Sequence, residues 1–212
     1  MRIISVNVSL PKDVKWRGKT VSTGIFKEPV PHRLMVKRLN IEGDLQADLT
    51  VHGGPDKALY AYAAEHYPAW QQELDGKDLP WGMFGENLTV EGGLFEDEVF
   101  VGDRFLIGTA EAVAVQPRLP CYKLGIRFGT QRIVKKFAQS GRFGVYFRVT
   151  KEGNVGVHDT VMKISESKHP VSIGHIGRLL LEQHHDPDLL ERASELEVLP
   201  DNIRRYFQSL LR

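Results

Sequence analysis

The stretch Glu98-Val99-Phe100-Val101-Gly102-Asp103-Arg104-Phe105-Leu106-Ile107-Gly108-Thr109-Ala110-Glu111-Ala112-Val113-Ala114-Val115-Gln116 reads as three short strands, at 98–101, 104–108 and 111–116. Each is rich in Val, Ile or Phe and is bounded by glycine-containing turns, which is strand punctuation. Working outward, Ile4, Val6 and Val8 alternate with Ser5, Asn7 and Ser9, the period of a half-buried strand. Further strands are predicted near Val21–Phe26, Leu34–Leu39, Glu86–Val90, Phe143–Val149 and Thr160–Ile164. Pro11 to Lys19 reads as a polar loop, Gly43-Asp44 as a turn, and His52-Gly53-Gly54-Pro55-Asp56 as a tight loop. Residues 57–75 read as mostly helical, with a break near Ala64–Tyr67 because Pro68 suits a first helical turn. Ile133, Val134 and Phe137 share a helical face that Gly141 ends. Many short strands with glycine-rich turns predict a mainly β (α+β) fold, a barrel or closed curved sheet with flanking helices.

The pattern changes near His169-Pro170. Ser172 reads as the cap of a helix carrying Ile173, Ile176, Leu179 and Leu180. Asp186-Pro187 reads as a cap and first position of a second helix, and Asp201 as the cap of a third. The expected division is a β domain over 1–166 and a three-helix appendage over 167–212. An appendage that small needs to dock on the barrel or on a partner.

The chain has 212 residues, 42% of them hydrophobic, with 28 basic and 27 acidic residues and a formal net charge of +1. That balance gives no general case for nucleic-acid or membrane binding, so any basic site must be local. One cysteine excludes an intramolecular disulfide and an all-cysteine zinc or iron–sulfur site within the chain. Met1 to Val6 enters a strand pattern with no apolar signal region, which predicts a soluble, reducing, cytoplasmic setting. Walker, GxGxxG, HExxH and CxxCH motifs are missing.

That cysteine, Cys121, lies in Gln116-Pro117-Arg118-Leu119-Pro120-Cys121-Tyr122-Lys123-Leu124, on a loop expected to leave a sheet. Arg118, Lys123 and Arg127 surround it with positive charge, the setting of a reactive or metal-binding thiolate. The competing reading is a buried cysteine acting as a small hydrophobe. The backbone N–H groups of Gly53 and Gly54 could approach an anion, with His52 as an added donor; the competing reading is a turn. Asn87, in Gly85-Glu86-Asn87-Leu88-Thr89, could fix a ring edge or an oxygen ligand, or could bond its own backbone. Lys27 alone reads as surface, and His184-His185-Asp186 as a solvated linker rather than a metal site.

Together the motifs are more specific. Lys27-Glu28-Pro29-Val30, Gly43-Asp44-Leu45-Gln46-Ala47-Asp48, His52-Gly53-Gly54-Pro55-Asp56-Lys57-Ala58, Phe84-Gly85-Glu86-Asn87-Leu88, Val101-Gly102-Asp103 and the Cys121 motif follow one another in order. The series resembles a MOSC domain, the domain at the C-terminus of molybdenum-cofactor sulfurases, in its stand-alone bacterial YiiM type. Ser172-Ile173-Gly174-His175-Ile176-Gly177-Arg178-Leu179 resembles the start of that type's three-alpha domain. The chain departs at Ser22-Thr23-Gly24-Ile25-Phe26, where the family usually has Thr-Ala-Ile-x. Gly174 and Gly177 are poor helix formers and predict a looser helical tail.

The resemblance implies a β-barrel that binds the molybdenum cofactor, a pterin dithiolene carrying molybdenum and a phosphate. Cys121 would be the metal ligand, and Asn87 would stand near the metal's oxygen ligands. Lys27, His52, Gly53, Gly54 and Arg118 would hold the pterin or its phosphate. The implied activity is reduction of N-hydroxylated compounds, such as 6-N-hydroxylaminopurine and related bases, to amines, with electrons from an external reductase or small redox protein. Neither nucleic acid nor a membrane is an expected partner. The same likeness carries a family-level association with pyridoxal phosphate. The alternative is a sulfur carrier or cofactor-delivery module that uses a Cys121 persulfide.

Overall fold

The computed structural model describes residues 1–47, 53–182 and 185–212. Its strands are β1 (Arg2–Val8), β2 (Lys12–Trp16), β3 (Lys19–Thr23), β4 (Glu28–Pro29), β5 (Leu34–Val36), β6 (Leu59–Ala63), β7 (Leu88–Glu91), β8 (Arg104–Ile107), β9 (Ala110–Pro117), β10 (Val145–Lys151), β11 (Gly153–Val155) and β12 (Val161–Ser165). Its helices are α1 (His66–Glu73), α2 (Tyr122–Phe128), α3 (Arg132–Ser140), α4 (Ile173–Leu181), α5 (Pro187–Ser194) and α6 (Asp201–Leu210). Eight strands form one sheet in the order β12, β8, β9, β10, β6, β7, β1, β4; β5 pairs with β11, and β2 with β3. The β6–β7 pair is parallel and the other pairs of the large sheet are antiparallel.

The fold is mixed α+β, and the large sheet is not the closed barrel that the run of short strands predicts. Its end strands, β12 and β4, do not pair with each other. The sheet does curl back on itself: Ile3 N donates to Asp159 O at 2.9 Å, and Val161 N donates to Met1 O at 2.9 Å. These are local bridges at the start of β1, not a continuous ladder.

Four local expectations fail. Leu59–Ala63 is a strand rather than helix, and all five residues are buried. A strand buried on both faces has no alternation to mark it. Helix α1 begins only at His66, with Pro68 in its first turn as expected. Residues 12–16 pair with 19–23 as a hairpin, although their polarity reads as loop. Residues 98–101 form turns, with one isolated bridge from Phe100 to Ser172. In β1 a register shift between Ile3 and Ser5 breaks the simple alternation, so Ser5, Val6 and Asn7 are all buried.

The three C-terminal helices share the sheet's core. Val171, Ile173, Ile176, Leu190, Leu199 and Phe207 belong to one apolar cluster with Val101, Phe105, Ala112 and Phe147. Burying one such side chain is worth roughly 1.5–3 kcal/mol. Ser172 caps α4 through His175 N, while His175 Nδ1 accepts from Ser172 N. Gly174 and Gly177 do not loosen this helix. A Cβ on Gly177 would stand 2.2 Å from the Phe143 ring, and one on Gly174 would stand 2.2 Å from Asp97. Here glycine gives up helix propensity for close approach to the sheet domain.

Candidate functional site

A second apolar cluster, rich in aromatic rings, includes Tyr60, Tyr62, Trp70, Phe84, Phe137 and Phe143. Beside it opens a cleft enclosing about 100 Å³. Six pieces of chain wall it: Thr23, Gly24, Ile25 and Lys27 from the end of β3 onward, Asp44–Ala47, Lys57 with Tyr60, Gly85 with Asn87, Arg118, Leu119, Cys121 and Lys123 after β9, and Tyr146 on β10. Sites assembled from strand exits in this way place loop chemistry on a rigid sheet.

Cys121 lines the cleft and is half-buried. It sits at the N-cap position of α2 in extended backbone. The sequence expected the loop but not the short helix after it. Arg118 is 6% exposed. Its guanidinium lies 5.2 Å from the Phe137 ring centroid and 5.7 Å from that of Tyr60. Among the described residues no carboxylate forms an ion pair with it, and its buried Nη1 has no hydrogen-bond partner. Burial works against its charge, but Tyr60, Tyr146 and Cys121 outweigh it and raise its pKa further. The site thus holds a buried cation with an unused donor.

Lys27 is 8% exposed and paired with Asp44. Burial lowers its pKa, against the pull of Asp44. Asn87 Nδ2 donates to Asp44 Oδ2 at 3.1 Å and reaches Asn7 O at 3.4 Å, while Asn87 Oδ1 accepts from Tyr60 N at 3.1 Å. Asp44 also accepts from Ser9 N at 2.9 Å. Both ends of the Asn87 amide are therefore engaged within the protein, and Lys27, Asp44 and Asn87 form one buried network along the cleft.

Gly53 and Gly54 do not line the cleft. Gly54 has φ 95° and ψ 169°, a backbone region that favours glycine. Among the described residues no atom would crowd a Cβ there, and the positive φ itself favours glycine. The turn that follows, Pro55–Lys57, delivers Lys57 to the cleft wall. Burial lowers the Lys57 pKa, partly offset by Asp56 and Cys121. His52 and His184 lie outside the described residues. Asp186 spends its carboxylate capping α5 through Asp188 N and Leu189 N.

The sequence reading passed over Asp44, Lys57, Tyr60 and Tyr146 as site residues. Asp44 and Lys57 were visible inside the Gly-Asp and His-Gly-Gly motifs, and their positions there were the available signal. Tyr60 and Tyr146 had none. Their rings lie 5.0 Å apart across paired strands, a relation that only the sheet register creates.

The MOSC domain family model matches residues 48–162, and the YiiM-like, 3-alpha helix domain model matches 171–212. The chain belongs to the MOSC domain family, in the group that carries the YiiM-like three-helix domain. It is 39% identical to the protein titled "Uncharacterized protein YflK" of Bacillus subtilis, over 97% of this chain and 92% of that one. Its fold matches the crystal structure of YiiM from Geobacillus stearothermophilus with a TM-score of 0.83 at 31% identity, covering 100% of this chain and 99% of that one. A protein of Gibberella moniliformis titled "Reductase" is 30% identical over 85% of this chain but only 32% of its own length. Among the described residues no helix is long and apolar enough to cross a membrane.

Proposed function

We propose that this protein is a cytoplasmic molybdenum-cofactor enzyme that reduces N-hydroxylated compounds, including hydroxylaminopurines and related bases, to amines. The observation that carries this reading is the pairing of Cys121 with Arg118, whose buried Nη1 is unpartnered, in one cleft. A soft thiolate suits a redox metal. An unused guanidinium donor suits a phosphate oxygen. Family membership supports the cofactor, and the fungal relative's title supports a reductase.

Cys121 would bind the metal from the cleft wall. Arg118 and Lys57 would hold the cofactor's phosphate, with Gly53, Gly54 and His52 as further donors. When bound, the cofactor would supply the two-electron couple that N–O cleavage consumes. Lys27, Asp44 and Asn87 would keep the wall rigid and its charges balanced beneath the substrate. The reaction balances as R–NHOH + 2 e⁻ + 2 H⁺ → R–NH₂ + H₂O.

Metal analysis of protein purified from a cofactor-producing host tests this reading. Molybdenum at one per chain, lost in Cys121→Ser together with viologen-driven N-hydroxyl reduction, is the expected result. A metal-free protein carrying one extra sulfur on Cys121 would instead identify a sulfur carrier.

A further inference from the structure

We propose that the β2–β3 hairpin, together with the lip of the cleft, is a docking surface for a small acidic electron-carrier protein. The inference rests on the reductase reading above and adds where, and to what kind of protein, the electrons are handed over.

The hairpin stands apart from the rest of the fold. Among the described residues β2 and β3 pair only with each other, from Lys12↔Thr23 to Trp16↔Lys19. Arg17 and Gly18 turn the chain with φ of 49° and 77°, the paired positive values of a type I′ turn. Except for Thr23 at its base, every residue from Lys12 to Thr23 is exposed or half-buried. Val14 and Val21 face each other across the strands, and Trp16 lies two residues further along the Val14 face; all three are only half covered. An isolated two-stranded hairpin is marginally stable in water. A partner that covers this face would complete it.

Its charge selects the partner. Lys12, Lys15, Arg17 and Lys19 against Asp13 give the hairpin a formal charge of +3. The whole chain carries +1, so the remainder carries −2. The positive pole is therefore local, which steers an acidic protein to one place.

The hairpin also leads to the chemistry. From the last residue of β3 onward, Thr23, Gly24 and Ile25 become cleft wall. Lys12 Nζ lies 4.6 Å from the Phe26 ring centroid, and the Arg127 guanidinium of α2 lies 5.1 Å from the same centroid. Basic side chains thus continue from the hairpin to the helix that begins beside Cys121, with the exposed Glu28 set among them 3.9 Å from Lys12. At the lip, Leu45 and Leu119 are 48% and 40% exposed, and Tyr122, next in sequence to Cys121, is 49% exposed. An apolar centre rimmed by charge is the anatomy of a protein–protein interface. A nucleic acid fits less well, because the patch includes Asp13 and an apolar lip.

The reaction itself calls for such a carrier. Each turnover consumes two electrons, and a chain with one cysteine cannot hold a four-thiolate cluster to store them. Two molecules of a one-electron carrier, each oxidised once, balance one N–O bond cleaved, with two protons taken up and water released.

The test compares wild type with the triple variant Lys15→Glu/Arg17→Glu/Lys19→Glu, as cofactor-loaded full-length protein. Reduced flavodoxin, a reduced acidic [2Fe–2S] ferredoxin, and reduced methyl viologen serve as donors. Viologen-driven turnover should be equal in both proteins. With the preferred acidic carrier, KM should rise about tenfold or more in the variant, and its dependence on salt should flatten. Equal carrier KM in the two proteins would overturn the proposal. So would wild type that accepts electrons from viologen but from neither carrier, or that binds a DNA oligonucleotide more tightly than either carrier. If viologen also drives no turnover, the reductase reading fails by itself. Docking is then read by titrating oxidised carrier into both proteins. Salt-sensitive binding confined to wild type sustains the surface, and its absence removes it.

Discussion

Arg148 holds Asp56 through Nε at 2.5 Å, and the same guanidinium donates through Nη2 to Val198 O at 3.1 Å. One side chain on β10 therefore ties the turn after Gly53-Gly54 to the segment between α5 and α6. Gln116 Nε2 fixes the other side of that turn by donating to Asp56 O at 2.9 Å. The helical tail is thus braced against a loop that delivers Lys57 to the cleft. Arg148→Ala should cost about 1 kcal/mol, since the pair is partly solvated. That is roughly 2–4 °C in Tm for a chain of this size. Amide exchange should speed up at both 53–57 and 196–200, and Arg148→Lys should restore only the Asp56 side. Faster exchange on one side alone in the alanine variant would show that the brace is not shared.

Arg118 is a cation with an unsatisfied donor in a buried place, an arrangement that costs folding free energy. Arg118→Met keeps the packing against Tyr60 and Phe137 and removes the charge. The cofactor-free variant should be at least as stable as wild type. Its molybdenum content should fall by an order of magnitude or more. Thermal unfolding and metal analysis of the same preparations read both effects. A destabilised variant with full metal content would make Arg118 a structural residue.

Legibility in the sequence followed physical periodicity. Helix α3 was readable because Ile133 and Phe137 share a face and Gly141 closes it in the left-handed conformation. The caps at Ser172 and Asp186 were readable because capping is local chemistry. Leu59–Ala63 was not, because burial on both faces erases the period of two. Closure of the sheet could not be judged from strand lengths, since it depends on whether β12 meets β4 in space. In the site, Cys121 and Arg118 were legible from a motif of two prolines and local charge. The two-ended use of the Asn87 amide was not, because Asp44 and the Tyr60 N–H come from distant parts of the chain.

Glu86 is fully buried and accepts from Gly82 N at 2.9 Å, Phe84 N at 3.1 Å, Thr89 Oγ1 at 3.0 Å and the Tyr67 hydroxyl. Burial raises its pKa, and these donors offset the rise in part. A carboxyl whose folded pKa lies above its unfolded value favours the fold most below the unfolded value. That contribution declines as pH rises through the folded pKa. Stability measured from about pH 4 to pH 7 should therefore carry a downward component in wild type that Glu86→Gln lacks. The variant should also lose about 1–3 kcal/mol overall, because its amide N–H₂ opposes donors that need an acceptor. Parallel pH profiles for the two proteins would remove Glu86 from the titration.

Asn87 and Asp44 give the sharpest test of how the cleft wall is held. Asp44 takes the Lys27 ammonium, the Asn87 amide and Ser9 N, all at a site where Asp44 is 3% exposed. Removing one partner of a buried ion pair costs about 3–5 kcal/mol, because the other charge stays buried. Asp44→Ala should approach that loss. Asn87→Ala should cost about 1–3 kcal/mol, from the stranded Tyr60 N–H and one lost donor to Asp44. Because both substitutions dismantle one network, the double variant should lose less than the sum, with a coupling of about 0.5–3 kcal/mol. Adding Lys27→Met to Asp44→Ala should recover part of the loss, since it removes the stranded cation. Denaturant unfolding of the single, double and rescued variants measures every quantity in the absence of any cofactor. Strict additivity, or no recovery with Lys27→Met, would mean that Lys27, Asp44 and Asn87 do not act as one unit beneath the cleft.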